Sequence, residues 1–232
     1  MSGETLDRGH FDGLYEQSAD PYGFTSRWYE QRKYAVSVAM LPWRRYRSGF
    51  EPGCSVGELT ALLAPRCEAL LSCDSAGAAV AAARTRTAQF PQVTVEQRTM
   101  PGDWPTQGTH GAHEAQENNE IRGSGVGNGA SFDLIVLSEW LYYLSDEDLA
   151  RTVGLAVNTL AEGGTLLAVH WRRPVPFHPQ TGDGAHAALA RRPELTLLAD
   201  HREPDFLAQV YLRAPAGADP AELSVAAAEG LT

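Results

Sequence analysis

The chain has 232 residues, a formal net charge of −10 and 43% hydrophobic residues. That length fits one domain with a sizeable core, and the acidic balance makes a poor general binder of nucleic acid or of an anionic membrane. No apolar run approaches a membrane span, and three cysteines without C-x-x-C spacing (Cys54, Cys67 and Cys73) argue against zinc and a disulfide framework.

Residues 1–20 are polar and are expected to be loose, with no apolar targeting segment, so a reducing cytoplasm is the expected compartment. Asp20-Pro21-Tyr22-Gly23-Phe24 reads as a turn, and the stretch from Ser26 to Leu41 as an amphipathic helix with Ser26 as its N-cap. Its aromatic stripe suits packing on a sheet. It equally suits a lid over a cofactor, with Tyr29 facing the ligand and Arg32 reaching a carboxylate. The arginines at 44, 45 and 47 read as a solvated face rather than a nucleic-acid patch.

The informative stretch is Phe50-Glu51-Pro52-Gly53-Cys54-Ser55-Val56-Gly57, a strand end, a glycine turn and a helix start. Glycine allows positive φ and close approach of a ligand to the backbone. The helix start turns free N–H groups toward that ligand. Gly53-Cys54-Ser55-Val56-Gly57 also spells G-x-S-x-G, the nucleophile elbow of α/β-hydrolases, which leaves a serine hydrolase using Ser55 as an alternative. The next apolar run, 68–73, ends in Asp74. A carboxylate about 20 residues beyond a glycine loop is where dinucleotide-binding folds hold a ribose diol. An N-cap for the following helix is the competing role for Asp74. No His-Gly-Gly-Gly oxyanion motif occurs, and the adenosyl-cofactor loop is favoured.

Residues 76–88 form an alanine-rich helix and 93–96 a third strand, followed by Arg98-Thr99-Met100-Pro101. The segment 105–131 is polar and aperiodic and reads as a mobile insertion; its His110 and His113 read as loop histidines, and no metal is expected. Phe132–Ser138 is the clearest buried strand, ending in Ser138-Glu139-Trp140-Leu141-Tyr142-Tyr143. A capped helix runs from Ser145 to about Leu160. The strand 165–171 ends in His170-Trp171-Arg172. Two further strands near 195–199 and 206–212 are expected, the last antiparallel. The chain thus divides into 1–20, a domain over 21–213 and a tail over 214–232.

Alternating strands and helices imply an α/β, Rossmann-like sheet that is mostly parallel and covered on both faces. Ligands bind such sheets beyond the carboxyl ends of the strands. Residues 51–57, Asp74, 99–101, 138–142 and 170–172 all fall there.

With Asp20-Pro21-Tyr22, Trp28-Tyr29-Glu30-Gln31-Arg32-Lys33, Glu51-Pro52-Gly53-Cys54, the strand 132–139, Tyr142-Tyr143-Leu144 and His170-Trp171-Arg172, the chain resembles the class I S-adenosylmethionine-dependent methyltransferases. Within them it resembles the family of the nodulation protein NodS. The resemblance implies S-adenosylmethionine as cofactor. It implies an amine or hydroxyl acceptor on a small molecule, such as an amino sugar or a natural-product intermediate. The cofactor would lie along Tyr29, Arg32, Glu51, Gly53, Ser55, Gly57, Asp74, Ser75, Thr99, Met100, Pro101 and Ser138. Glu139 and His170 would be the proton acceptors. Trp140, Tyr142, Tyr143, Trp171 and Arg172 would line the acceptor pocket. Ser55 departs from the family's usual glycine, and the long insertion departs from a compact member. A non-catalytic cofactor-binding protein is a further alternative, and oligomeric state stays open.

Overall fold

A computed structural model describes residues 3–106 and 131–231. Nearly all of the 105–131 segment, with His110 and His113, lies outside the described residues. The described chain forms helix α1 (Arg8–Gln17), α2 (Trp28–Ala39), strand β1 (Tyr46–Pro52), α3 (Glu58–Leu63), β2 (Cys67–Asp74), α4 (Gly77–Thr87), β3 (Val93–Gln97), β4 (Phe132–Ser138), α5 (Asp146–Thr159), β5 (Leu160–Trp171), α6 (Gly182–Ala190), β6 (Leu195–Arg202), β7 (Phe206–Arg213) and the short α7 (Val225–Ala228).

The seven strands lie in the order β3-β2-β1-β4-β5-β7-β6. β7 alone is antiparallel to its neighbours, and β1–β2, β1–β4, β2–β3 and β4–β5 pair parallel. β1 and β4 carry the chain to opposite sides, so the strand order reverses between them, where open α/β sheets place their ligands. The continuous apolar reading of β4 follows from its place at the centre. Leu134 and Val136 face a core with Tyr34, Leu59 and Leu63, while Ile135 and Leu137 face the other core with Leu149, Val153 and Ala156. Cys54, Cys67 and Cys73 are buried free thiols.

Two expectations for the N-terminal half are corrected. The chain before Asp20 is not all loose: α1 is capped by Asp7, which accepts from the His10 N–H, and it buries Tyr15 against Val56, Ala76 and Ala79. Ser26 does not cap α2; Arg27 holds that position without a side-chain bond. Helix α5 shows the expected pattern, with Ser145 accepting from the Asp148 N–H and three acidic residues in the first turn, where the helix dipole favours them.

Candidate active site

A cavity of about 820 Å³ opens at the carboxyl ends of β1, β2, β4 and β5, roofed by α1 and α2. Glu51, Gly53, Cys54, Asp74, Ser75, Thr99 and Met100 line one end, and Ser138, Glu139, Trp140, Tyr142, Tyr143 and Trp171 the other. Tyr29, Glu30, Lys33 and Tyr34 look into it from α2.

The glycine turn is held by its own strand end. The N–H groups of Gly53 and Cys54 both donate to the Cys73 carbonyl, at 2.7 and 2.9 Å. Asp74 clamps the turn from the side, Oδ2 accepting from the Ser55 N–H at 2.9 Å and Oδ1 from the Ala76 N–H at 3.0 Å. Asp74 therefore supports both the loop and the start of α4 while lining the cavity. Burial raises its pKa, against the pull of those N–H groups. Glu51 is buried, and its Oε2 accepts from the Thr60 and Ser72 hydroxyls at 2.6 and 2.8 Å. Burial nevertheless pushes its pKa up to about 7.

Gly53 has φ +74°, and a Cβ there would lie 3.0 Å from the Trp140 ring, so the residue must be glycine for the turn to sit against the far end of the site. Ser55 also has positive φ, 50°, and its hydroxyl shares a 2.5 Å hydrogen bond with the Tyr15 hydroxyl of α1. That bond is the described environment of Ser55 Oγ. A nucleophile elbow needs a histidine there, and His170 is buried in a separate network. The hydrolase alternative is set aside on this geometry. Neither Ser55 nor Gly57 lines the cavity. Gly57 faces Ala83, 2.9 Å from where its Cβ would be, and its φ of +80° begins α3.

The other end is built around Glu139, another non-glycine residue at positive φ, 62°. Its N–H donates to the Val169 carbonyl at 2.8 Å, which ties the turn after β4 to β5. Its Oε1 accepts from Lys33 Nζ at 2.8 Å; its Oε2 accepts from the Tyr142 hydroxyl at 2.6 Å and the Trp171 N–H at 3.2 Å. Lys33 is 1% exposed and also pairs with Glu30 at 2.7 Å. Burial pulls the Lys33 pKa down, but Glu139 and Glu30 outweigh it and the net shift is upward. Nζ lies 5.2 and 5.7 Å from the centres of the Tyr29 and Tyr34 rings. The hydroxyl of Tyr29 and the indole N–H of Trp140 are buried without a partner among the described residues.

Besides Ser55 and Gly57, four more expected site residues fall elsewhere. Arg32 turns away from the cavity and pairs twice with Glu203, at 2.6 and 2.9 Å, because the inward face of α2 belongs to Glu30, Lys33 and Tyr34. Arg172 likewise leaves the pocket for Asp183. Pro101 is buried outside the lining. His170 is fully buried. It accepts the Leu141 N–H at Nε2 and meets His186 Nε2 through Nδ1 at 3.1 Å; His186 Nδ1 then meets Gln209 Oε1 at 2.7 Å. With Nε2 accepting, Nδ1 is the donor, and the chain from Leu141 to Gln209 is neutral and satisfied. Burial, then His186, hold the His170 pKa well below the usual value. His170 is core and not a proton acceptor for a ligand.

Lys33, Glu30, Tyr15 and His178 are among the cavity residues that sequence reasoning missed. The Glu30–Lys33 spacing was the available signal, since i and i+3 share a helix face. Tyr15 carried none, because α1 is polar enough to pass for loose chain.

Comparison with known proteins agrees with this geometry. Residues 14–100 match the family model "Nodulation protein S (NodS)". The Nodulation protein S of Bradyrhizobium diazoefficiens is 29% identical over 152 residues, 64% of this chain and 61% of that protein, so the match spans less than two thirds of that relative. The crystal structure of a candidate methyltransferase from Pseudomonas syringae is 40% identical, with a TM-score of 0.63, covering 81% of this chain and all of that one. The N-methyltransferase NodS from Bradyrhizobium japonicum, solved with S-adenosylhomocysteine, is 21% identical, with a TM-score of 0.67 over 87% of this chain and 97% of that one; it shows the shared fold. A site assembled from strand ends on this sheet, together with the 40% identical relative from Pseudomonas syringae, leads to one conclusion: the chain belongs to the methyltransferases, with NodS among its similar proteins.

Proposed function

We propose that this protein transfers a methyl group from S-adenosylmethionine to an amine of a small molecule. The observation that carries this reading is the two-ended cavity at the strand-order reversal, with the Glu51–Gly53–Asp74 group at one end and Glu139 at the other. The donor chemistry of the first end fits the cofactor. Asp74 offers two oxygens to a ribose diol, Glu51 a buried carboxylate to an α-ammonium, and Gly53 a backbone without a Cβ. Ser75, Thr99 and Met100, which line the same end of the cavity, would face the adenine.

When bound, S-adenosylmethionine supplies an electrophilic methyl on a sulfonium. The chain's own residues align the acceptor with it, and that alignment supplies much of the rate. Glu30, Lys33 and Glu139 form a buried group with one more carboxylate than ammonium, which favours a cation at this end. That excess is the observation favouring amine over hydroxyl. Glu139, fixed by three donors, orients the acceptor; Trp140, Tyr142, Tyr143 and Trp171 wall it from water.

Thermal unfolding with S-adenosylhomocysteine, with NAD as control, tests the reading. Ligand at about 100 times its dissociation constant stabilises a fold by roughly 2.7 kcal/mol. For this chain length that is a rise of about 5–10 °C. No rise, or an equal rise with NAD, removes the proposal.

A further inference from the structure

We infer that His178 is the general base of this site, taking the proton from the acceptor amine. The inference rests on the methyltransferase reading above. It starts from the loss of both earlier candidates. His170 is sealed in the core, and Glu139, held by Lys33, the Tyr142 hydroxyl and the Trp171 N–H, is built to orient the acceptor rather than to take its proton. A general base must present a free acceptor to the ligand.

His178 does so. It lies in the loop between β5 and α6, lines the cavity and is half-buried at its mouth. Its ring stacks on Tyr142 at 4.7 Å and 10°, and Tyr143 and Phe177 meet it edge-on at 4.8 and 4.9 Å. Its backbone N–H donates to the Val175 carbonyl at 3.0 Å, and the Gln180 N–H donates to the Tyr142 carbonyl at 3.1 Å, so the loop is fastened to the same turn it stacks on. Among the described residues its ring nitrogens have no hydrogen-bond partner. Tyr142 carries the ring on one face and gives its hydroxyl to Glu139, which sets the imidazole beside the carboxylate that orients the acceptor.

The charged and titratable groups around the ring are few. His10 comes from α1, Tyr142 and Tyr143 from the turn after β4, and Glu139 from the end of that strand. Burial, then His10, lower the His178 pKa, while Glu139 opposes them. The ring is therefore neutral at neutral pH and ready to accept.

The step balances. The acceptor ammonium gives one proton to His178. The freed nitrogen pair forms the N–C bond to the methyl as the S–C bond breaks, and that bonding pair stays on sulfur. The products are a methylated ammonium and S-adenosylhomocysteine, and the imidazolium returns its proton to water at the cavity mouth.

The test uses the full chain. Wild type and His178→Gln are assayed with methyl-labelled S-adenosylmethionine against benzylamine, ethanolamine and glucosamine across the acid and neutral range, beside calorimetric binding of S-adenosylhomocysteine. With any probe that turns over, the variant should lose about 10²–10⁴-fold in kcat/KM. It should also lose the rise of kcat/KM with pH through the imidazole midpoint, while binding S-adenosylhomocysteine as wild type does. Full turnover by the variant with an unchanged pH profile overturns the inference and leaves the methyltransferase reading standing. Failure of wild type to bind S-adenosylhomocysteine removes that reading instead. A third measurement needs no acceptor: the His178 Cε1–H resonance, assigned by its loss in the variant, should titrate below the usual histidine midpoint. A resonance that does not move with pH means a ring that takes no proton, and overturns the inference.

Discussion

Lys33 on α2 and Glu139 after β4 are joined at 2.8 Å, and this pair fastens the roof of the cavity to the sheet beneath it. Lys33 has traded solvent for two carboxylates. Removing it leaves Glu30 and Glu139 facing each other with no cation between them.

Breaking a buried pair by removing one partner costs about 3–5 kcal/mol. Lys33→Met should therefore lower unfolding stability by roughly that amount in urea titration. A Lys33→Met, Glu30→Gln double variant should recover part of the loss, because one uncompensated carboxylate is gone. Equal stability of wild type and Lys33→Met would mean that the pair is not formed in solution.

Glu51 gives a pH signature to ligand binding. Its folded pKa of about 7 is above the usual 4.5, so the native state holds the extra proton. Stability from this group is full below about 4.5 and is lost as pH rises through about 7. Binding of S-adenosylhomocysteine runs the other way, since its α-ammonium selects the carboxylate. Affinity should tighten as pH rises through about 7, and Glu51→Gln should abolish that rise. A Glu51→Gln variant with the wild-type pH profile places the ammonium elsewhere.

His186 should govern acid stability. Burial lowers its pKa from 6.5 to about 4. The unfolded state thus binds the proton first, and stability contributed by this group is full above about 6.5 and lost as pH falls through about 4. The difference corresponds to roughly 3 kcal/mol. His186→Asn should flatten the stability–pH curve between these limits, whatever its effect at neutral pH. Urea midpoints at several pH values measure it.

Tyr15 and Ser55 make a separable test of the roof. A hydrogen bond of this kind contributes about 1 kcal/mol. Tyr15→Phe should cost about that much, and Ser55→Gly less, because glycine relieves the positive φ as it loses the bond. A double-mutant cycle with Ser55→Ala should return a coupling near 1 kcal/mol. No fluorophosphonate labelling of Ser55 is expected; labelling would revive the hydrolase alternative.

The strands and the strand ends that line the cavity were legible because they depend on local patterns. β4 is apolar on both faces, and the glycine turn with Asp74 has its own spacing. Sequence reading failed where two elements distant in the chain decide the answer. Arg32 and Lys33 are neighbours on one helix, and only Glu203 on one side and Glu139 on the other say which turns inward. His170 ends its strand as expected, yet α6 lays His186 across it. Trp28, an aromatic at the start of α2, is 73% exposed, while Tyr34 on the same helix is core. α1 escaped because its burial rests on Tyr15 and contacts from other segments.

Gly57 has a consequence for the helix across from it. The space where its Cβ would stand is filled by Ala83, whose Cα is 2.9 Å away. The alanines of α4 look, in isolation, like a choice for helix propensity. At position 83 alanine is instead a spacing constraint imposed by the loop. Diversity in α4 should be permissive on its outer face and closed at 83, and enlarging that one methyl would push on the turn that Asp74 clamps rather than on the helix itself.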